Sequence, residues 1–441
     1  MSEWRQVELG QIADVRVSNV DKKTVPGEVP VQLCNYMDVY SNDYIRDHLD
    51  FMQASATVAE IARFKVALGD VLITKDSETP DDIGIPTVVI HEVDNLVCGY
   101  HVALIKPNQS LVDSMYLSKQ LGRAETAGYF ARYAAGSTRY GLPMSAMNRT
   151  PIALPPLTQQ RKIATILSTI DTAIEQTEAL IEKYQYIKAG LMHDLFTRGV
   201  LPTGQLRPPR DQAPELYQET AIGWIPREWK VSRLATILRE SGGHLQTGPF
   251  GSQLHAHEYQ SEGVPVVMPQ DINDGKIGTE SIARISEKRA LSLAKHQLKV
   301  GDIIIARRGE LSRAAAVSVI EQGWLCGTGC FLLRFGRTDL NHFFFGHIYR
   351  YDYIQRQIAG TQVGTTMPSL NNSVMGRVFF PCPAPDEQTN ICNRLNKSEW
   401  EIDGLKAHAE KLKLQKLGLM QDLLTGKVSV TTPPAQGVAT P

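Results

Sequence analysis

IIIARRGELSR, residues 303–313, places Arg307 and Arg308 directly after an apolar run, with Gly309 next to let the chain turn. A guanidinium offers parallel N–H donors that match the paired acceptors of guanine or two phosphate oxygens, while Asn and Gln match adenine. Two neighbouring stretches have the composition of contact loops. QTGPFGSQL (246–254) brings Gln246, Thr247, Ser252 and Gln253, and GTQVGTTMPSLNN (360–372) brings Thr361, Gln362, Thr365, Thr366, Asn371 and Asn372. The first half of the chain has corresponding places. VLITKDSE (71–78) sets Lys75 where the other copy has Arg307, and GSTRYGLP (136–143) carries Ser137, Thr138, Arg139 and Tyr140. Arg139, beside an aromatic ring, is the best single candidate there. For each of these the plain alternative is an inert surface turn or a solvated charge.

Charge sharpens the contrast between the halves. Residues 1–150 hold 14 Lys and Arg against 19 acids, a net of −5, and residues 226–380 hold 18 against 13, a net of +5. The second half can present a basic face, whereas a basic face on the first must be local. No apolar run reaches the roughly 18 residues a membrane-spanning helix needs. The start, MSEWRQVELG, lacks the apolar stretch of a secretory signal. Six scattered cysteines are not a disulfide framework. Cys326 and Cys330 form a C-x3-C pair with no second pair to complete a zinc site, so buried free thiols are the simpler expectation. These features predict a cytoplasmic globular protein. Phosphate-loop and dinucleotide-binding glycine motifs are absent from the sequence. GDVLITKD (69–76) and GDIIIARRGE (301–310) set acids around a strand, as a metal-dependent nuclease does, but lack an acid-x-Lys pair.

What positions these segments is a repeat. GLMHDLFTRGV (190–200) and GLMQDLLTGKV (418–428) share seven identical residues at an offset of 228. The match extends back to Gln160/Gln388, and more weakly through both halves. GDVLITK answers GDIIIAR, CGYHVALIK (98–106) answers CGTGCFLLR (326–334), and YFARYAAGSTRYGLPM (129–144) answers YIQRQIAGTQVGTTMP (353–368). In the first long segment Ile163, Leu167, Ile170, Ile174, Thr177, Ile181, Tyr184, Lys188, Leu191 and Leu195 step alternately by four and three. Ile391, Leu395, Ser398, Ile402, Leu405, Ala409, Leu412, Lys416, Leu419 and Leu423 repeat that register in the second. This is a heptad seam on two helices of about 40 residues, each roughly 60 Å long. Prolines precede both helices, with Thr158 and Asp386 as N-cap candidates. Neither helix can bury its stripe alone, and an antiparallel pair is the natural solution within one chain, a direction that periodicity leaves open. Gly190 and Gly418 suggest close approach of the partner helix. Lys188 and Lys416 either reach for water or set the register.

The expected architecture is α/β: two mixed α/β domains separated by two long helices packed as an antiparallel coiled coil, with pseudo-twofold repetition. The divisions are 1–153 for the first domain, 154–199 for the central helix, 200–224 for a linker, 225–381 for the second domain, 382–428 for the C-terminal helix and 429–441 for a disordered tail.

The whole chain resembles the specificity subunit of a type I restriction–modification enzyme. LPPLTQQRKIATIL (154–167), TEALIEKYQYIKAGLMHDLFTRG (177–199) and QKLGLMQDLLTGKV (415–428) carry the resemblance, with the openers WRQVELGQIADV (4–15) and IGWIPREWKVSRLATI (222–237). The segment 246–254 resembles a recognition loop of that family. The resemblance implies a subunit that is not itself catalytic, in which each domain binds one half of a bipartite double-stranded DNA target. It implies that the helix pair sets the gap and docks two methyltransferase subunits, with restriction–translocase subunits joining them. S-adenosylmethionine, ATP and Mg would belong to those partners, with no cofactor or metal in this chain and no membrane contact. A scaffold with two protein-binding heads, or a metal-dependent nuclease, are the alternatives.

Overall fold

The computed structural model describes residues 4–251, 253–361 and 369–430. They fall into two compact units, Met1–Ala179 with Lys406–Pro441, and Leu180–Leu405. The division cuts both long helices, which run Leu157–Thr197 and Pro385–Leu423. Each unit therefore holds one head, the beginning of the helix that follows it and the end of the other helix. This explains the duplicated eleven residues: each copy is the end of the helix that follows one head, and it completes the other head.

In the first unit a five-stranded sheet runs in the order Ala13–Val17, Val102–Pro107, Val71–Thr74, Pro86–Val89, Tyr44–Ile45. The inner strands are mostly apolar because both of their faces are covered, and alternation sorts the side chains. Val71, Ile73, Ala103 and Ile105 pack with Ile163, Leu167, Leu423 and Leu424 of the long helices. Leu72, Val102 and Leu104 face a three-stranded sheet, Met52–Ala56, Val29–Cys34 and Leu96–Cys98. The second unit repeats the plan. Its four-stranded sheet runs His244–Thr247, Cys330–Arg334, Ile303–Ala306, Ala314–Ala316. Ile303, Ile305, Phe331 and Leu333 pack with Leu195, Phe196, Ile391 and Leu395, while Ile304 and Leu332 face the small sheet through Val267 and Cys326. A fully buried Leu or Phe contributes about 1.5–3 kcal/mol, so the two helix ends are structural parts of the heads they enter.

The helix starts are fixed by a buried glutamine. Gln160 donates to the carbonyls of Pro155 (2.8 Å) and Leu111 (3.1 Å) and accepts from the Asp113 amide (2.9 Å). Gln388 donates to Pro383 (2.8 Å) and Asp339 (3.2 Å) and accepts from Asn341 (2.7 Å). Thr158 and Asp386 are not the caps. The helices begin at Leu157 and Pro385, so both residues lie within the first turn, and Pro385 takes the first helical position, where its fixed φ suits the helix. At the other end, Gly199 (φ +64°) and Gly426 (φ +72°) break the helical path beneath Trp229 and Trp4, where an added Cβ would come within 2.7 Å and 3.1 Å of the indole.

All twelve seam positions Ile163, Leu167, Ile174, Ile181, Leu191, Leu195, Ile391, Leu395, Ile402, Leu412, Leu419 and Leu423 are buried or half-buried. In the first unit Asp171 meets Lys416 (2.7 Å) and Glu178 meets Lys413 (2.9 Å), so one helix ascends as the other descends and the pair is antiparallel. Lys416 does not reach for water: its ammonium also meets Asp43 (2.8 Å), and Asp171, 3% exposed, accepts further from Lys119 (2.7 Å) and the Tyr44 hydroxyl (2.5 Å). In the second unit Lys188 meets Glu399 (2.7 Å), which also faces Arg350 (3.5 Å) and His347 (3.8 Å). Lys119/His347, Asp171/Glu399 and Lys188/Lys416 are each 228 residues apart. The two junctions are one device built twice, with a buried imidazole replacing an ammonium.

Gly190 and Gly418 overturn their expectation. Both are exposed, and an added Cβ would meet nothing within 4 Å, so no partner backbone approaches them. Residues 200–224, expected as a linker, are partly built: Tyr217–Thr220 and Gly223–Pro226 form a hairpin, and Arg207 is buried against Glu387. Glu387 further accepts from the Val200 amide (2.7 Å) and the Trp229 indole (3.0 Å). Of the expected tail, residues 431–441 lie outside the described residues. No helix among the described residues is long and apolar enough to cross a membrane.

Candidate nucleic-acid interface

Antiparallel pairing brings most of the candidates to one end of each main sheet. In the second unit three strand ends meet there: Thr247 closes one strand, Cys330 opens its neighbour and Ala306 closes the next. The Gly248 amide bonds the Cys330 carbonyl, the Arg307 amide bonds that of Gly329, and the Leu370 amide bonds that of Arg307. Segments 246–254, 307–313 and 369–372 therefore share one edge. In the first unit the Leu142 amide bonds the Lys75 carbonyl, and Tyr140–Gly141 pairs with Asp76–Ser77. That pairing sets 136–142 beside Lys75. The 142/370 correspondence keeps the 228-residue offset, and the helices Ala124–Tyr133 and Asp352–Ala359 begin 228 apart as well, so the motif-based match of Tyr129 with Tyr353 is four residues out.

The side chains differ between the units. Arg307 is half-buried, its guanidinium 5.6 Å from the Phe331 ring centre with Nε 3.4 Å from the Leu370 carbonyl. Burial, then the charge of Arg308, lowers its pKa from the usual value. Arg308 is exposed. Gln246 and Thr247 lie in an edge strand rather than a loop, because the strand pairs with Cys330–Arg334, and the Gln246 amide donates to the Lys295 carbonyl. Gln253 is spent on the turn, accepting from the Phe250 amide (3.3 Å), and that turn leaves Phe250 54% exposed. Asn371 caps the helix Asn372–Arg377 through the Val374 amide (2.9 Å), and Asn372 donates to the Leu245 carbonyl (3.0 Å). Thr361 donates to the Ile358 carbonyl (2.7 Å). Ser252, Gln362, Thr365 and Thr366 lie outside the described residues.

In the first unit Lys75 is not a free cation. Its ammonium meets both oxygens of Asp76 (2.8 and 2.9 Å), which also accepts from His101 Nδ1 (2.6 Å). Ser137, Thr138 and Arg139 are exposed and Tyr140 is half-buried. Arg139, Asp76, Ser77, His101, Tyr36 and Tyr40 line an open cleft of about 790 Å3. Sequence reasoning misses His101 and Asp76 as parts of this site; the signal was the divergence of CGYH (98–101) from CGTG (326–329) at a strand start.

The acids of the nuclease alternative have structural partners: Asp70 meets Lys106 (2.6 Å) and Asp302 meets Arg334 (2.6 Å). Cys326 and Cys330 are free and buried, and burial raises both thiols.

Two copies of a related sheet, each completed by the end of the long helix that follows the other head, make up a duplicated scaffold. The family model described as "Type I restriction modification DNA specificity domain" matches residues 1–185 and 226–414, the two halves of the repeat. The chain belongs to this family. The specificity subunit of the MjaVIII type I restriction enzyme of Methanocaldococcus jannaschii is 24% identical over 97% of this chain and 93% of its own length. The EcoBI specificity subunit of Escherichia coli is 21% identical over 62% of this chain and 55% of its own. The crystal structure of a type I restriction–modification S subunit from M. genitalium shares the fold, with a TM-score of 0.57 at 15% identity over 95% of this chain and 96% of that one. A chain from a study of complex assembly and conformational transition in a type I system aligns with a TM-score of 0.54 at 16% identity, over 97% and 99% of the two chains.

Proposed function

We propose that this specificity-family chain reads double-stranded DNA in two parts, one half-site per head, and confers that two-part target on a methyltransferase and restriction complex. The observation that carries the reading is the pair of equivalent sheet ends. Equivalent backbone bonds, Leu142 amide to Lys75 carbonyl and Leu370 amide to Arg307 carbonyl, close the two ends, with Arg139 beside one and Arg307 with Arg308 at the other, among otherwise different side chains. Shared scaffolding with unlike contacts suits two unlike half-sites rather than a palindrome.

The antiparallel helices set the gap between half-sites and offer their outer faces to two methyltransferase subunits, which restriction–translocase subunits then join in the cytoplasm. The chain itself is not a catalyst. The methyl donor S-adenosylmethionine, and the ATP and Mg of translocation, belong to those partners. The experiment is methylation mapping of host DNA with and without this gene. A gapped two-part motif is expected to vanish on deletion and return on complementation. A motif that persists, or that has no gap, defeats the reading.

A further inference from the structure

The first head holds a half-buried polar chain that the alternation of its sheet does not need. Asp76 lies at a strand end and accepts from Lys75 on one side and from His101 Nδ1 (2.6 Å) on the other. His101 is 9% exposed, and its ring packs against Tyr100 with centroids 3.6 Å apart. A carboxylate only accepts, so Nδ1 carries a proton, and in the neutral ring Nε2 is then the acceptor. Nε2 faces Arg139 NH2 at 3.4 Å. Among the described residues Arg139 has no carboxylate partner, and it sits exposed on a turn where a Cβ on Gly136 (φ +145°) would collide with its carbonyl. The chain Lys75–Asp76–His101 thus ends on one nitrogen of an outward guanidinium, leaving its other donors free.

We propose that His101, oriented by Asp76, is a positioning residue that holds Arg139 as the base-reading side chain of the first half-site. The edge it would read carries two adjacent acceptors, as guanine O6 and N7 do. A free arginine loses rotamer entropy on contact, and a guanidinium held at one corner loses less. The second head has no such support, because Gly329 stands in the place of His101, and Arg307 rests on Phe331 instead.

This inference rests on the heads reading DNA, and the test separates the two. Methylation by the chain assembled with its methyltransferase partner is measured on duplexes varied at each position of the first half-site, the second half-site being held. Arg139→Ala is expected to relax discrimination at one position, on the order of tenfold to a hundredfold. His101→Ala should relax that same position by about tenfold, and His101→Gln, whose amide oxygen takes the place of Nε2, should restore most of it. Discrimination at the second half-site should stay unchanged. Uniform loss across all positions, relaxation at a different position from Arg139→Ala, or no recovery with glutamine overturns the proposal. A two-part target untouched by Arg139→Ala overturns the inference alone, whereas a wild-type complex with no two-part target overturns the reading beneath it.

Discussion

The first head sets Arg139 against a half-buried line of polar groups, the second sets Arg307 against an aromatic face and a backbone carbonyl. Beneath them four strands of each main sheet share order and pairing, and the first sheet adds Tyr44–Ile45 at its edge. The junctions with the helices keep three equivalent positions at a constant offset. The side chains at the strand ends differ between the heads, whereas each junction ties a head to both helices and keeps a carboxylate at its centre even where Lys119 gives way to His347.

The comparison of junctions is open to direct attack. The largest effect is expected at Glu387, which serves Arg207, Val200 and Trp229 at once. Glu387→Ala leaves a buried guanidinium with the exposed Glu228 as its one carboxylate partner among the described residues. It also strips the Val200 amide and the Trp229 indole of their acceptor, so it should cost the second unit about 3 kcal/mol. Denaturant unfolding followed by hydrogen exchange should place the loss in residues 180–405 and spare the first unit.

Acidification should separate the units next. Burial pushes His347 down to about 4, with the Glu399 charge opposing and the Arg350 charge assisting, and burial also lowers His296 and His342. A histidine whose folded pKa is depressed gives stability that is full above its unfolded value, near 6.5, and lost as pH falls toward the folded value. The second unit should therefore weaken between about pH 6.5 and 4, by a few kcal/mol in all, at about 1.4 kcal/mol for each pH unit between the folded and unfolded values. Lys119 holds the equivalent place in the first unit, so that junction buries no imidazole. Melting each unit across the range, with His347→Asn as the control that flattens the slope, checks it. Equal slopes in both units would break the comparison.

The smallest effect lies at the exposed helix glycines. Gly190→Ala and Gly418→Ala should each stabilise by about 1 kcal/mol, since open space surrounds both and the helix gains propensity. Thermal melts that fall instead would restore a close helix contact at those positions.

These outcomes bear on how much a sequence discloses. The heptad seam was legible because ten positions repeat a period in each helix, and the main strands because both of their faces are buried. The destination of the helix ends was not, since Leu195 and Leu423 pack into heads that periodicity cannot link to them. Lys75 looked like a contact because its ion pair with Asp76 depends on side-chain orientation, which sequence order alone does not give. His101 escaped notice because its partners Asp76 and Arg139 lie 25 and 38 residues away along the chain. Asn371 was ambiguous for a different reason: an amide that suits adenine also suits a helix cap.

The central claim is that two heads read independently. It is tested most directly by exchanging residues 1–153 for the corresponding head of a relative and mapping the methylated sequence made by the assembled complex. The account predicts a new first half-site beside an unchanged second half-site and an unchanged gap. A motif altered in both halves would contradict it.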